Sequence, residues 1–526
     1  WLKGETKFLP FKTPLCKLGM KELSQEIIKG IDSSSVYDLA IKTPLEKANA
    51  LSLRLKNEIL FKREDLQPVF SFKLRGAYQK MKSLTPSERL KGVIAVSAGN
   101  HAQGVALGAR ELGIRATIVM PVTTPEIKVN AVRAYGAQTI LHGDSYDDAL
   151  VHCRDIMKEE DQVFIHPYDD PQVIAGQGTI AKEIIDQAGP EVDAVFVAVG
   201  GGGLLAGILT YLKDMHPKIK VIAVESEDSA CLQAALEEGE RVSLESVGIF
   251  ADGVAVKQIG ELPFELVKDR IDQVITVSTD QICSAIRDVY EENRTIQEPA
   301  GALGVAGLKK YLESNQQIGK RFVTVNCGAN MNFDRLQHIA ERTEIGDRRE
   351  VLLSVQIPEK PGAFRKFCEQ IGHLTVTEFN YRFAGSSHAQ LFVGIGLSAD
   401  GTSRKELIGQ LEKDGYLIDD LSDNDLAKIH IRHMVGGRTP GKMENERLFR
   451  FQFPERPRAL LEFLQRMDPT WNISLFHYRN HGSAYGRVLV GMQVPEDDKE
   501  EFEGFLRNLG YRSFEETGNV AYARFL

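Results

Sequence analysis

Ala194-Val195-Phe196-Val197-Ala198-Val199 runs directly into Gly200-Gly201-Gly202-Gly203 and then Leu204-Leu205-Ala206-Gly207. The apolar, β-branched run Val195 to Val199 reads as a buried strand, and the residues beyond the glycines read as the opening of a helix. Consecutive glycines leave bare main-chain amides where strand becomes helix. Together with the helix N-terminal dipole they make an anion site suited to a phosphate group. A tight strand-to-helix crossing without a ligand is the plainer alternative. The uncharged stretch extends from Ala194 to Leu212 and approaches a membrane span in length. Each interior glycine costs a helix about 1 kcal/mol against alanine, so the run reads as a loop, not as a membrane helix. It lacks the spaced glycines and following acidic residue of a dinucleotide site, and the Lys-Ser/Thr of a P-loop.

Outward from this stretch, from about Pro44 to Asn332, short β-branched runs alternate with amphipathic segments. Val93–Val96, Ala116–Met120, Val221–Val224 and Phe322–Val325 read as further buried parallel strands, with helical patterns such as His101–Glu111 between them. The expected fold class is α/β, doubly wound around parallel sheets, with ligands gathered at the carboxyl ends of the strands.

Composition narrows the function. The chain has 526 residues with 43% hydrophobic and 26% charged, ordinary globular usage with room for several domains. A net charge of −9 and a pI near 5.8 supply no basic field for nucleic acid or an anionic membrane. The six cysteines form no CxxC pair, so neither a disulfide scaffold nor a metal site is expected, and a reducing compartment is the default. The start, from Trp1, shows no signal-peptide pattern and no initiator methionine, as in a processed or trimmed chain.

Beyond Asn332 the rhythm changes. The charged stretch Glu341–Glu350 reads as a linker, with a boundary near residue 345. An internal repeat follows: Ile357-Pro358-Glu359-Lys360-Pro361 matches Phe453-Pro454-Glu455-Arg456-Pro457 at an offset of 96. Glu378-Phe379-Asn380-Tyr381-Arg382 matches Leu475-Phe476-His477-Tyr478-Arg479 at an offset of 97. Each copy reads strand, helix, two strands, helix, strand: two α+β modules of about 75 to 80 residues, a usual size for small domains.

Four segments carry candidate chemistry. In Ser71-Phe72-Lys73-Leu74-Arg75-Gly76, apolar neighbours would desolvate Lys73, lower its pKa and make it a competent amine nucleophile; a snorkelling surface lysine is the alternative. The glycine run is the second. In Ser97-Ala98-Gly99-Asn100-His101, Ser97 and Asn100 can cap the following helix, and its first-turn amides suit a carboxylate. His101 is either an acid–base group or a packing histidine. The fourth, Thr324-Val325-Asn326-Cys327-Gly328-Ala329-Asn330, ends a strand in a glycine turn, where Cys327 is either a buried small hydrophobe or a functional thiol.

In this order on such a sheet, the four segments closely resemble the fold-type II pyridoxal-phosphate enzymes, and among them the biosynthetic threonine ammonia-lyases. Glu298-Pro299-Ala300-Gly301-Ala302 and Cys327-Gly328-Ala329-Asn330 match further segments of that family. The resemblance covers nearly everything from about residue 36 onward. It implies an N-terminal extension over 1–35, a catalytic domain over 36–344, and ACT-like modules over 350–421 and 447–526.

The resemblance also assigns residues. Lys73 carries pyridoxal 5'-phosphate covalently and later removes the α-proton, while Phe72 packs on the ring and Asn100 meets its hydroxyl. Gly200, Gly201, Gly202, Gly203 and Leu204 hold the phosphate, and Cys327 faces the ring nitrogen. Ser97, Ala98, Gly99, Asn100 and His101 hold the substrate carboxylate. The implied reaction turns L-threonine, and secondarily L-serine, into an oxo acid and ammonia as the first committed step of isoleucine biosynthesis. Ala98 stands where racemases of this fold carry a second serine, which argues against racemisation. The family further implies inhibition by isoleucine, relief by valine, a homotetramer, and a cytoplasmic location, or the plastid stroma in a plant or alga. An aromatic ring beside a fixed cation, as at Tyr381-Arg382 and Tyr478-Arg479, suits an amino-acid effector, as does Arg432; ordinary strand-edge residues are the alternative. β-Replacement on an activated serine, and a non-catalytic amino-acid sensor, are the rival readings.

Overall fold

The computed structural model describes residues 19–526 except 249, 334, 347–349, 361, 372–373, 384–386, 398–402, 425, 428–430, 432–442, 455–458, 469, 480–484 and 520–526. The side chains of 344–346, 454, 479 and 485–487 are likewise outside the description. The chain divides into two compact units, 1–343 and 344–526.

In the first unit, the expected parallel sheets are two. One has six strands in the order Leu45–Lys47, Glu58–Lys62, Arg321–Val325, Ala194–Ala198, Lys220–Ser226 and Gln273–Val277. The other has four, in the order Gln138–Leu141, Ala116–Met120, Val93–Val96 and Val163–Phe164. All neighbours are parallel except Leu45–Lys47, which pairs antiparallel with Glu58–Lys62 because only the short helix Asn49–Leu55 separates them. Parallel strands buried on both faces need apolar runs, and Ala194–Ala198 and Val93–Val96 are buried throughout.

The helices pack through missing side chains. Helix Lys73–Lys82 lies against Asn100–Leu112 and Pro171–Ala188. A Cβ on Gly104 would stand 3.1 Å from the Leu74 nitrogen, and one on Gly176 only 2.7 Å from the Arg75 oxygen, so the backbones approach as only glycine allows. Residues read as an N-terminal extension supply helix Met20–Asp32, whose Leu23, Ile27 and Ile31 are buried in the core of this unit.

The stretch read as a linker is largely helix, Arg335–Gly346. Within this helix Arg342 Nε lies 2.5 Å from Asp280, and Arg335, ahead of that stretch, donates to the Phe250 carbonyl at 2.8 Å.

In the second unit both modules show the expected strand–helix–strand–strand–helix–strand order. They share one antiparallel sheet of eight described strands, joined where Thr375–Arg382 pairs with Asn472–Arg479. The joining strands are the two copies of the matched repeat segment, with Phe379 opposite Tyr478 and Tyr381 opposite Phe476. The core between sheet and helices is rich in aromatic rings, among them Phe364, Phe379, Phe451, Phe463 and Phe502.

Candidate active site and effector cavity

Strands Ala194–Ala198 and Arg321–Val325 are parallel neighbours, so their carboxyl ends open side by side onto the glycine run and the Cys327 turn. Lys73 is delivered to the same place by backbone pairing. Ser71 bridges Gly328, the Phe72 amide donates to the Cys327 carbonyl at 3.2 Å, and the Ala329 amide donates to the Phe70 carbonyl at 2.9 Å. Phe70, half exposed, turns the chain with a left-handed φ of 54°, a conformation that costs a non-glycine residue about 1–3 kcal/mol and is held here by that lacing.

Lys73 opens its helix with Nζ 5.2 Å from the Phe72 ring centre and 3.5 Å from the Pro167 carbonyl. Burial pushes its ammonium down to about 8, against the raising influence of Cys327 and Glu298. About a tenth of the amine is therefore free at pH 7, far more than for an ordinary lysine.

Behind the lysine lies a charge cluster that the sequence did not reveal. Arg75 grips Glu64 with two hydrogen bonds of 2.8 Å and reaches Glu183 at 2.6 Å, and Lys62 meets Glu183 at 2.5 Å. All four side chains are buried. Arg75 and Lys62 balance Glu64 and Glu183, which is what permits ionic groups in a core.

Neither Ser97 nor Asn100 caps the helix as expected. The helix begins at Asn100 after Gly99; Ser97 Oγ instead accepts from the Gly99 amide at 3.2 Å and bends the loop. Asn100 Nδ2 donates to Glu298 Oε1 at 2.6 Å, and its Oδ1 accepts from Asn330 Nδ2 at 2.8 Å. His101 is buried, with Nε2 2.8 Å from the Ile165 carbonyl, and burial takes its pKa down to about 3. It is a neutral packing histidine, not an acid–base group. Ala98 lies in the partly exposed bend with Ser97 and Gly99.

The glycines form a cradle at the start of helix Gly203–Met215, with Gly202 at φ 89°. A side chain on Gly201 would run into the Tyr168 ring, and a Cβ on Gly203 would stand 2.9 Å from the Tyr168 Cα. Leu204 is buried behind them. Cys327 is buried as well, its Sγ 3.2 Å from the Val325 carbonyl, and burial raises its pKa so that the thiol stays protonated.

The loop Ile165–Asp170 ties these parts together and went unread in the sequence. Its carbonyls reach His101 and Lys73, and Tyr168 lines the cradle. Asp169 accepts from the Glu261 and Leu262 amides at 2.9 Å, and Asp170 caps helix Pro171–Ala188. The available signal was Asp170-Pro171, a cap followed by a first-turn proline.

In the second unit Tyr381 and Tyr478 are buried. Tyr381 lines a cavity with Ile357, Phe364, Met467 and Trp471, drawn from both modules, and its hydroxyl donates to Glu359 at 3.4 Å. Arg382 is committed elsewhere: it is buried and lies 2.5 Å from Glu446, so it is not free for an effector carboxylate. Arg432 lies outside the described residues, as does the Arg479 side chain.

Residues 36–328 match the family described as pyridoxal-phosphate dependent enzyme. Residues 341–431 and 437–526 each match the C-terminal regulatory domain of threonine dehydratase. The L-threonine dehydratase biosynthetic IlvA of Burkholderia multivorans is 51% identical over 96% of this chain and 99% of its own. The chain belongs to the biosynthetic threonine dehydratase family. The chloroplastic biosynthetic threonine dehydratase of Arabidopsis thaliana is 47% identical over 96% of this chain and 85% of its own. The solved structure of processed threonine deaminase isoform 2 from Solanum lycopersicum aligns with a TM-score of 0.60 at 46% identity, covering 62% of this chain and 94% of that one.

The cofactor of this family is pyridoxal phosphate, and the residues present fit it: an amine with a depressed pKa stands near a glycine cradle whose helix terminus suits a phosphate. Among the described residues, no cluster of metal-ligating side chains occurs and no helix is long and apolar enough to cross a membrane.

Proposed function

We propose that this chain converts L-threonine to 2-oxobutanoate and ammonia by eliminating water across the α and β carbons. The observation that carries this reading is Lys73, a half-buried lysine whose amine pKa is lowered to about 8, on the same floor as the glycine cradle. Bound there, pyridoxal phosphate supplies an electron sink that makes the substrate's α-proton removable.

The residues do the rest. Gly200 to Gly203 and Leu204 offer main-chain amides to the phosphate, and Phe72 and Asn100 position the ring. The bend Ser97 to His101 opens a helix N-terminus and suits the substrate carboxylate. Lys73 Nζ removes the Cα proton. Cys327 would face the ring nitrogen as a protonated, neutral thiol, a partner that would not hold that nitrogen charged and would so favour elimination of the β-hydroxyl. L-Serine is a secondary substrate, because one methyl group is worth about 1–3 kcal/mol of discrimination.

The reaction is the first committed step of isoleucine biosynthesis, and the second unit regulates it. Isoleucine enters the cavity beside Tyr381 and, on the repeat's logic, a counterpart beside Tyr478. It inhibits by favouring a less active arrangement, and valine opposes it. The active form is a homotetramer in the cytoplasm, or in the stroma of a plastid-bearing source.

An oxo-acid assay with threonine and with an activated serine, with and without isoleucine, tests the reading. Threonine-dependent oxo-acid release, suppressed by isoleucine, is expected. Replacement product from activated serine without deamination of threonine would instead establish a β-replacement enzyme. A colourless protein after reconstitution with pyridoxal phosphate would leave only the amino-acid sensor.

A further inference from the structure

Glu298 occupies the N-cap of helix Pro299–Asn315 but makes no capping hydrogen bond with its side chain. The carboxylate turns away from the helix and accepts from Asn100 Nδ2 at 2.6 Å. Room for it is made by glycine: a Cβ on Gly328 would lie 2.6 Å from Oε1. Glu298 is buried, and among the described residues no lysine, arginine or histidine reaches it within ion-pair distance. A buried carboxylate so placed is costly when ionised and calls for a reason.

The amide it holds is pinned at its other end as well. Asn100 Oδ1 accepts from Asn330 Nδ2, which also donates to the Val69 carbonyl at 2.7 Å. One Nδ2 hydrogen of Asn100 is left for another partner. The charged groups facing Glu298 are Lys73 from its helix, Asp252 with its partner Lys128 at 2.7 Å, and Cys327 from the turn. Asp252 opposes ionisation, whereas Lys73, Lys128 and the Asn100 hydrogen bond favour it.

Resting on the function proposed above, we infer that Glu298 is a positioning residue for the coenzyme: it fixes the orientation of the Asn100 amide and sets a titratable negative charge opposite the Lys73 nitrogen. When ionised it orders Asn100 with the nitrogen inward and stabilises positive charge at Lys73. When protonated it loses the charge opposite Lys73 and accepts more weakly from Asn100, which Asn330 still holds. Burial, together with Asp252, lifts its carboxyl to about 7, so the change falls within the neutral range.

The test is the visible band of the reconstituted holoenzyme, titrated in the wild type, Glu298→Gln and Glu298→Asp. Removing the charge should lower the midpoint of the band by about one pH unit, with Glu298→Asp restoring the wild-type midpoint. A residue that only filled space would leave that midpoint in place, and an unchanged midpoint in Glu298→Gln overturns the inference. Should Glu298→Gln fail to retain coenzyme, infrared difference spectra of the two apoproteins decide. A carboxyl band lost as pH rises through neutrality, present only in the wild type, supports the assignment, and a side chain ionised throughout refutes it. Wild-type protein that never becomes yellow would defeat the proposed function, a distinct outcome.

Discussion

The two units solve opposite problems with charge and rings. The first places an arginine, a lysine and two glutamates in its interior and offers bare main chain at its site. The second fills its interior with aromatic rings, and its cavity is made of side chains from two copies of one module. Parallel strands end together, so a site there can be built from main-chain amides and a few polar groups placed by long-range partners. An antiparallel sheet with helices over one face has no such shared edge. Its ligand space opens between modules, where the repeat brings different side chains face to face.

The sharpest break in the comparison is at Lys73. Lys73→Ala should abolish the visible absorbance and lower kcat by about a thousandfold or more, within the range for a positioned proton-transfer group and larger once covalent attachment is lost. The second unit should be untouched, with its calorimetric transition unchanged. Retained turnover would remove the lysine from the chemistry.

Next in size is the charge cluster. Arg75→Ala leaves Glu64 and Glu183 short of their main partner and should destabilise the first unit by about 3–5 kcal/mol. The corresponding break in the second unit, Glu446→Ala, removes the carboxylate that Arg382 meets where the two modules join. Two separate calorimetric transitions, each moved by only one of these variants, would show that the units store stability independently. A common shift in both would merge them.

Much of the first unit was legible because its signals are local. Val93–Val96 and Ala116–Met120 were read as strands and are strands, and the run read as Val195–Val199 is Ala194–Ala198, one residue earlier. The glycine run and the lysine segment lie at strand and helix ends, as their patterns required. What escaped depends on distant partners. Lys62, Arg63, Glu64 and Asp65 are four charges in a row, yet all four are buried: Lys62 meets Glu183 from more than a hundred residues away, Glu64 meets Arg75, and Arg63 pairs with Asp65 and Glu46. Asn100 looked like a cap because nothing nearby in sequence announced Glu298. In the second unit the repeat identified the modules, but not that its two matched strands pair with each other. An offset in sequence says which segments are alike, not which are neighbours.

A smaller effect probes the cavity proposed to take the effector. Trp471 is buried, with its indole N–H donating to Asp498 at 3.0 Å, and it contributes the largest ring to the cavity wall. Trp471→Ala should raise the isoleucine concentration for half inhibition about tenfold, a loss of ~1.4 kcal/mol, while threonine turnover without isoleucine stays at the wild-type rate. Unaltered inhibition would move the effector out of this cavity.

A last effect separates the units by the sign of a pH dependence. Glu225, on strand Lys220–Ser226, accepts from the Leu232 and Gln233 amides at 2.8 Å, but burial dominates and lifts its carboxyl from 4.5 to about 7. A raised acid binds its proton more tightly in the folded state, so its contribution is full below 4.5 and drains away as pH rises toward 7. Glu515 in the second unit behaves oppositely: hydrogen bonds from Arg447 hold it below its usual range, so its contribution is present above 4.5 and lost on acidification. Glu225→Gln should therefore flatten the decline of the first unit's melting temperature between those two pH values and leave the second unit's acid limb alone. Melting curves across that window, resolved by unit, check it. Equal slopes in variant and wild type would mean that the two amides, not burial, control this carboxyl.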